Sequence, residues 1–160
     1  MPCVVFRAED VGIAGYEDRE TLDAKVTQSA DRSDPPCRGE RMNLGDVTDK
    51  SVPKMVLVAP LKNGGAVTVR RFIPHRTHAT IGVLGAVSVA TGCLLAGSGA
   101  AQVAQVPAGP RNTLSLSLSL SVEHPTGDMT SVLETDEDGV ATSAALLRTA
   151  RKLMVGIVYV

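Results

Sequence analysis

The sequence predicts an α+β fold: a mostly antiparallel, curled sheet around one buried central helix at about Thr77–Leu95. Three observations lead there. Short β-branched runs are bracketed by proline and glycine, one segment alternates strictly with period two, and the stretch from Ala79 to Ala101 carries no charge at all.

The elements follow in order. "PCVVFRA" (Pro2–Ala8) reads as a strand, and the glycine-containing acidic loop after it leads into a helix starting near Glu20. "DRSDPPCRG" (Asp31–Gly39) mixes proline with charge and reads as a flexible connection. "PKMVLVAP" (Pro53–Pro60) and "AVTVRRFIP" (Ala66–Pro74), joined by the turn "KNGG", form an antiparallel hairpin. In "LSLSLSLSV" (Leu114–Val122) the leucines and Val122 share one face and the serines the other, the pattern of a half-buried strand. The turn "EHPTGD" returns the chain into "MTSVLETD". A further turn at Glu137–Gly139 leads to "VATSAALLRTA", and "IVYV" reads as a short final strand.

The uncharged stretch is long enough for a membrane span. Four glycines before the break at Ser98 (Gly82, Gly85, Gly92, Gly97) together with Thr80, Ser88 and Thr91 make insertion marginal, and a hairpin leading directly into it favours a globular core. Apolar and small residues fall on every side of this helix, so a helix enclosed all round, with no solvent face, is the expectation.

The totals exclude other classes. With 160 residues and 44 % hydrophobic content the chain can bury a core, and a formal net charge of −1 gives no general attraction to nucleic acid or anionic membrane. Aromatic side chains (Phe6, Tyr16, Phe72, Tyr159) are too few for base-stacking platforms. Cys3, Cys37 and Cys93 are odd in number and widely spaced, which implies reduced thiols and a cytoplasmic setting, with no disulfide framework. No secretory leader is read at the start. The strand-like run beginning at the second residue resembles an internal piece of a longer protein.

Chemistry concentrates where the hairpin meets the helix. Arg71, His75, Arg76 and His78 crowd the expected helix start, whose unpaired N–H groups and dipole favour an anion. Thr77 suits an N-cap, Arg76 can grip a carboxylate bidentately, and the imidazoles can donate hydrogen bonds or move protons near neutral pH. The same residues could equally do no more than satisfy the helix end and the sheet rim. "EHPTGD" is a second polar turn, or a plain hairpin corner. His75 and His78 with His124 lack the further ligands of a zinc site, and no metal is expected.

At these residues the sequence resembles the PrpF-type isomerases, which include 2-methylaconitate cis–trans isomerase and are related to 4-oxalomesaconate tautomerase. "MPCVVFRAEDVG", "MNLGDVTDKSVPKMVLVAP", "RRFIPHRTHATIGVLGAVSVAT", "EHPTGDM" and "ALLRTARKLMVG" carry the resemblance, weakest at Asp23–Glu40 and Gln102–Leu114. It implies the diaminopimelate epimerase-like fold, two lobes each curled around a helix with the active site between them. Residues 1–160 then correspond to a single lobe, the C-terminal half. It also implies a cofactor-free allylic proton shift on unsaturated di- or tricarboxylates, either cis–trans or double-bond isomerisation. Thr77 and His78 would be catalytic, and Arg76, Ala79, His124, Pro125 and Gly127 would bind substrate. Thr77 stands where many members carry cysteine, and a hydroxyl is a far poorer acid or base than a thiol. The principal proton-transfer residues would belong to the N-terminal lobe, so the chain alone is expected to be inactive. A missing N-terminal lobe or a homo-oligomer is the implied protein partner. The alternative from another class is a carboxylate-binding or partner-docking module without catalysis.

Overall fold

The computed structural model describes residues 1–30, 42–47, 50–73, 76–107 and 116–157. The expected connection at Asp31–Gly39 with its Cys37, His75 at the rim, Leu114 and Ser115 of the serine–leucine segment, and Tyr159 lie outside these residues.

Strands β1 (Cys3–Arg7), β2 (Lys54–Ala59), β3 (Val67–Phe72), β4 (Thr77–His78), β5 (Leu116–His124), β6 (Gly127–Thr135) and β7 (Ala141–Leu146) form one sheet. Its path runs β1-β2-β3-β5-β6-β7, with β4 also on β3. The β1–β2 and β3–β5 pairs are parallel and the others antiparallel, so the sheet is mixed, as the chain must return by crossovers to pair parallel strands. Helices α1 (Arg19–Ala30), α2 (Val83–Leu94) and the short α3 (Gly99–Val103) pack around it.

The burial pattern explains the strand sequences. Val56 and Val58 of β2 join Val67, Val69, Ile81, Ala86, Val89, Ala90, Leu120, Val122 and Leu133 in a core beneath α2. Leu57 and Ala59, on the opposite face, pack with Ala8, Ile13, Leu22 and Phe72 beneath α1. The run "VLVA" (Val56–Ala59) is therefore apolar throughout because both its faces are covered. In the first part of β5 only one face is covered: Leu118 and Leu120 are buried, while Ser117 and Ser119 are exposed.

Two expectations about the helix need correction. It begins at Val83 rather than Thr77, because Thr77 and His78 pair with Phe72 and Arg71 of β3. The N-cap is Gly82, which makes no side-chain cap, so Thr77 does not cap the helix. Nor is the helix enclosed on every side. The sheet path ends at β1 and β7 without joining them, and Val83 and Leu84 are exposed on α2. The final strand is not formed at Ile157, which has no regular structure; residues 158–160 lie outside the description. No helix among the described residues is long and apolar enough to cross a membrane.

A strand has two edges, and β2 occupies one edge of β3. The other is divided: β5 pairs with Val67 and Thr68, and β4 pairs with Arg71 and Phe72. The two partners diverge from this edge like the arms of a fork. Between them the Val69 carbonyl accepts from the buried Arg70 side chain (Nη1, 2.9 Å), which supplies a bond that neither arm provides.

Glu123 closes the base of the fork. Buried to 4 % exposure, its carboxylate accepts from the backbone N–H of Lys62 (2.9 Å), Asn63 (2.8 Å) and Gly65 (2.7 Å) and from the Thr68 hydroxyl (2.7 Å). The β2–β3 turn is thus wound around an acidic side chain of another strand. Gly65 is required there, since a Cβ would meet Glu123 Cγ at 2.7 Å and the Ser121 carbonyl at 2.8 Å. Burial alone would raise the carboxyl pKa. The hydrogen bonds outweigh it and hold the group below its ordinary 4.5. A lowered folded-state pKa contributes stability in full above the unfolded value and loses it as pH falls through the folded one. Glu123→Gln is therefore expected to lower unfolding free energy by about 1–3 kcal/mol at pH 7. In urea titrations that difference should shrink progressively as the pH is taken below 4.5.

Candidate active site at the helix mouth

The site is assembled where the open fork meets the start of α2. Ala86 N–H donates to the Gly82 carbonyl (3.0 Å), the first bond of the helix, and no side chain caps the N–H groups of the preceding turn. Such an end carries partial positive charge and free donors. Gly82 has φ +69°, and a Cβ there would lie 2.9 Å from Arg71 Nη1. The same Nη1 donates to the Ile81 carbonyl (2.5 Å), which fixes the Arg71 guanidinium against the helix mouth. Its charge adds to that of the helix end.

The strip Arg76–Thr77–His78 forms one wall. Strand alternation turns Thr77 inward, where it is buried, and leaves Arg76 and His78 exposed. Asp23 of α1 holds Thr77 by two bonds to one oxygen, from the backbone N–H and from the hydroxyl, each 2.6 Å. The Thr77 proton is thereby committed to Asp23. Burial would raise the Asp23 carboxyl pKa. The Thr77 bonds and the nearby charges of Arg19 and Arg76 prevail and lower it, so Asp23 is ionised at neutral pH. His78 folds back on its own turn, with Nδ1 3.0 Å from the Thr80 carbonyl and 3.3 Å from Thr80 N.

The β5–β6 hairpin forms the second wall. Its Thr126 hydroxyl lies 3.2 Å from both the Ala79 carbonyl and His124 Nδ1, so a single side chain links the two polar turns. Of the sequence-predicted residues, Arg76, Thr77, His78 and Ala79 make one group and His124, Pro125 and Gly127 the other; this bridge joins them. A cavity of about 320 Å³ opens beside the hairpin, lined by His124, Pro125, Gly127, Asp128, Glu123 and the turn at Asn63–Gly65, with Ser121 at its side. The strip Arg76–Ala79 does not line it, so this cavity takes only the second group. Burial lowers the His124 pKa, and the Arg70 charge lowers it further against the pull of Asp128. The imidazole is consequently neutral at pH 7 and able to accept a proton.

Sequence reasoning missed Asp23, because nothing local marks a helical aspartate as a partner of Thr77, which lies 54 residues away. It also missed Glu123, although one signal was present: it replaces serine with a carboxylate at the end of a strict alternation. Among the described residues no group of three or more His, Cys, Asp or Glu side chains converges as a metal site.

The chain forms a sheet-around-helix lobe, and a solved structure shares that fold. Methylitaconate-delta-isomerase superposes with a TM-score of 0.74 over 96 % of this chain and 43 % of its own, at 16 % identity, which establishes the diaminopimelate epimerase-like fold. The profile described as "PrpF protein" matches residues 1–160. The chain belongs to the PrpF family. It is 65 % identical to (4E)-oxalomesaconate Delta-isomerase of Novosphingobium sp. (strain KA1), over 100 % of this chain and 43 % of the relative. It is 48 % identical to 4-oxalomesaconate tautomerase of Pseudomonas putida, over 99 % of this chain and 42 % of that protein. The chain thus spans well under half the length of these curated relatives.

Two outcomes are expected. Gly82→Ala forces a left-handed backbone on a residue with a Cβ and displaces Arg71, and should lower stability by about 1–2 kcal/mol in chemical denaturation. In an NMR pH titration, His124 should titrate below its ordinary 6.5.

Proposed function

We propose that this chain is one lobe of a PrpF-type isomerase acting on an unsaturated di- or tricarboxylate of the oxalomesaconate or methylaconitate kind. The observation that carries the reading is the 65 % identity to an oxalomesaconate isomerase over 100 % of this chain. The reaction is a cofactor-independent allylic proton shift, run in the cytoplasm. A base takes a proton from a carbon adjoining a carboxylate, the charge spreads into an enolate-like system, and reprotonation at another carbon moves the double bond or its geometry.

Each part of the mouth has a role in that scheme. Arg76 grips a substrate carboxylate, and the free N–H groups at Gly82–Leu84 together with Arg71 hold the developing negative charge. His78 transfers the proton. Neutral His124 contributes a second acid–base group beside Pro125 and Gly127, with Ala79 forming the floor. Thr77, buried and with its proton given to Asp23, serves this scheme by holding β4 so that Arg76 and His78 stand exposed on the other face. The remainder of the cleft, with the principal proton-transfer groups, comes from a second lobe corresponding to the length of the relatives that this chain does not span.

The test combines binding with turnover. Calorimetry with citrate as a tricarboxylate probe should detect binding that Arg76→Ala weakens by roughly tenfold, the loss expected for a charge-assisted carboxylate contact. Ultraviolet absorbance of cis-aconitate or 4-oxalomesaconate should remain steady with the chain alone. Turnover at ordinary enzyme rates would overturn the single-lobe reading, and absence of any carboxylate binding would overturn the site.

A further inference from the structure

We infer that Asp23 is a positioning residue for the candidate site: its two bonds to Thr77 fix both the register and the facing of β4, and so aim Arg76 and His78 at the helix mouth. The inference rests on the functional reading above only for what those two side chains then do.

The argument begins from the length of β4. Two residues, Thr77 and His78, pair with β3, and one further backbone bond runs from Ile73 N–H to the Arg76 carbonyl (2.9 Å). Side chains alternate across a strand, so a slip of one residue would exchange every face. Here a slip would bury Arg76 and His78 and expose Thr77. So short a ladder specifies register weakly. Asp23 supplies the missing constraint, because one carboxylate oxygen receives the Thr77 backbone N–H, which sets register, and the Thr77 hydroxyl, which sets facing. The carboxylate in turn is held in place by α1, whose Leu22 is fully buried against the sheet with Leu57 and Phe72. Phe72 is also the β3 partner of Thr77. The helix therefore anchors through Leu22 and aligns through Asp23, its next residue.

Electrostatics makes the idea testable by sign. Asp23 is an anion near a site proposed to receive an anion, so by charge alone its removal should tighten carboxylate binding. Positioning demands the opposite for a variant that cannot hold Thr77. Asp23→Asn keeps an oxygen that can accept from both Thr77 groups and removes the charge; it should bind citrate at least as well as the wild type. Asp23→Ala should bind citrate roughly tenfold more weakly. It should also lose hydrogen-exchange protection at the Thr77 and His78 amides, while Val56 in β2 keeps its own. Citrate binding by Asp23→Ala as tight as wild type or tighter would overturn the inference. If the wild type itself binds no citrate, the functional reading fails and amide exchange alone decides the role of Asp23: unchanged protection at Thr77 and His78 overturns it. Should Asp23→Ala not fold, Thr77→Val carries the test, since it keeps the backbone bond and loses the hydroxyl. Faster exchange at the His78 amide supports the inference, and unchanged exchange overturns it.

Discussion

The divided edge of β3 is the constraint on which the rest of the structure depends. A strand offers one ladder of hydrogen bonds on each side, and here two partners share a single side. Their divergence leaves a gap in the sheet at Val69 and Arg70, and the start of α2 and the β5–β6 hairpin face each other across it. Without the fork the sheet would close over this end of the helix, and the first-turn N–H groups would have no opening.

Holding the fork apart requires polar groups in places that burial disfavours. A carboxylate taken out of water is costly unless donors replace the solvent, and Glu123 receives four. Arg70 and Arg71 stand on successive residues of β3 and face opposite sides. Arg70 satisfies its own strand at the gap, and Arg71 braces the segment leading into α2. Both leave a buried Nε without a partner among the described residues. Each guanidinium donates to a backbone carbonyl, and the charge of Glu17 also favours the Arg70 cation.

Much of this architecture was legible in the sequence because it rests on local period. The alternation in β5 and the hairpin at "KNGG" each follow from nearest neighbours, as does the apolar character of α2. The start of that helix was not legible, since Thr77 and His78 satisfy turn and cap preferences as readily as strand pairing, and only the register with Arg71 and Phe72 decides between them. The open side of α2 was hidden for a related reason. An apolar helix in a fully closed sheet and one in a sheet closed over most of its circumference have the same composition. In the site, the residue types at both polar turns were readable, but not the Thr126 bridge that joins them nor the aspartate behind Thr77, because both are contacts between distant segments.

The coverage of β2 on both faces, set against the exposure beyond β7, has a bearing on how the molecule loosens. Residues Val56 to Ala59 are at most 1 % accessible, whereas Leu153, Met154, Val155 and Ile157 stand 73–87 % in solvent without regular structure. Free energies of local opening follow burial and backbone protection. Fraying therefore starts at the C-terminal segment and works inward through β7, reaching the pair β2–β3 last. The mouth at Arg71 and Gly82 is built on the strand that melts near the end of this sequence, so the site outlasts the periphery of its own scaffold.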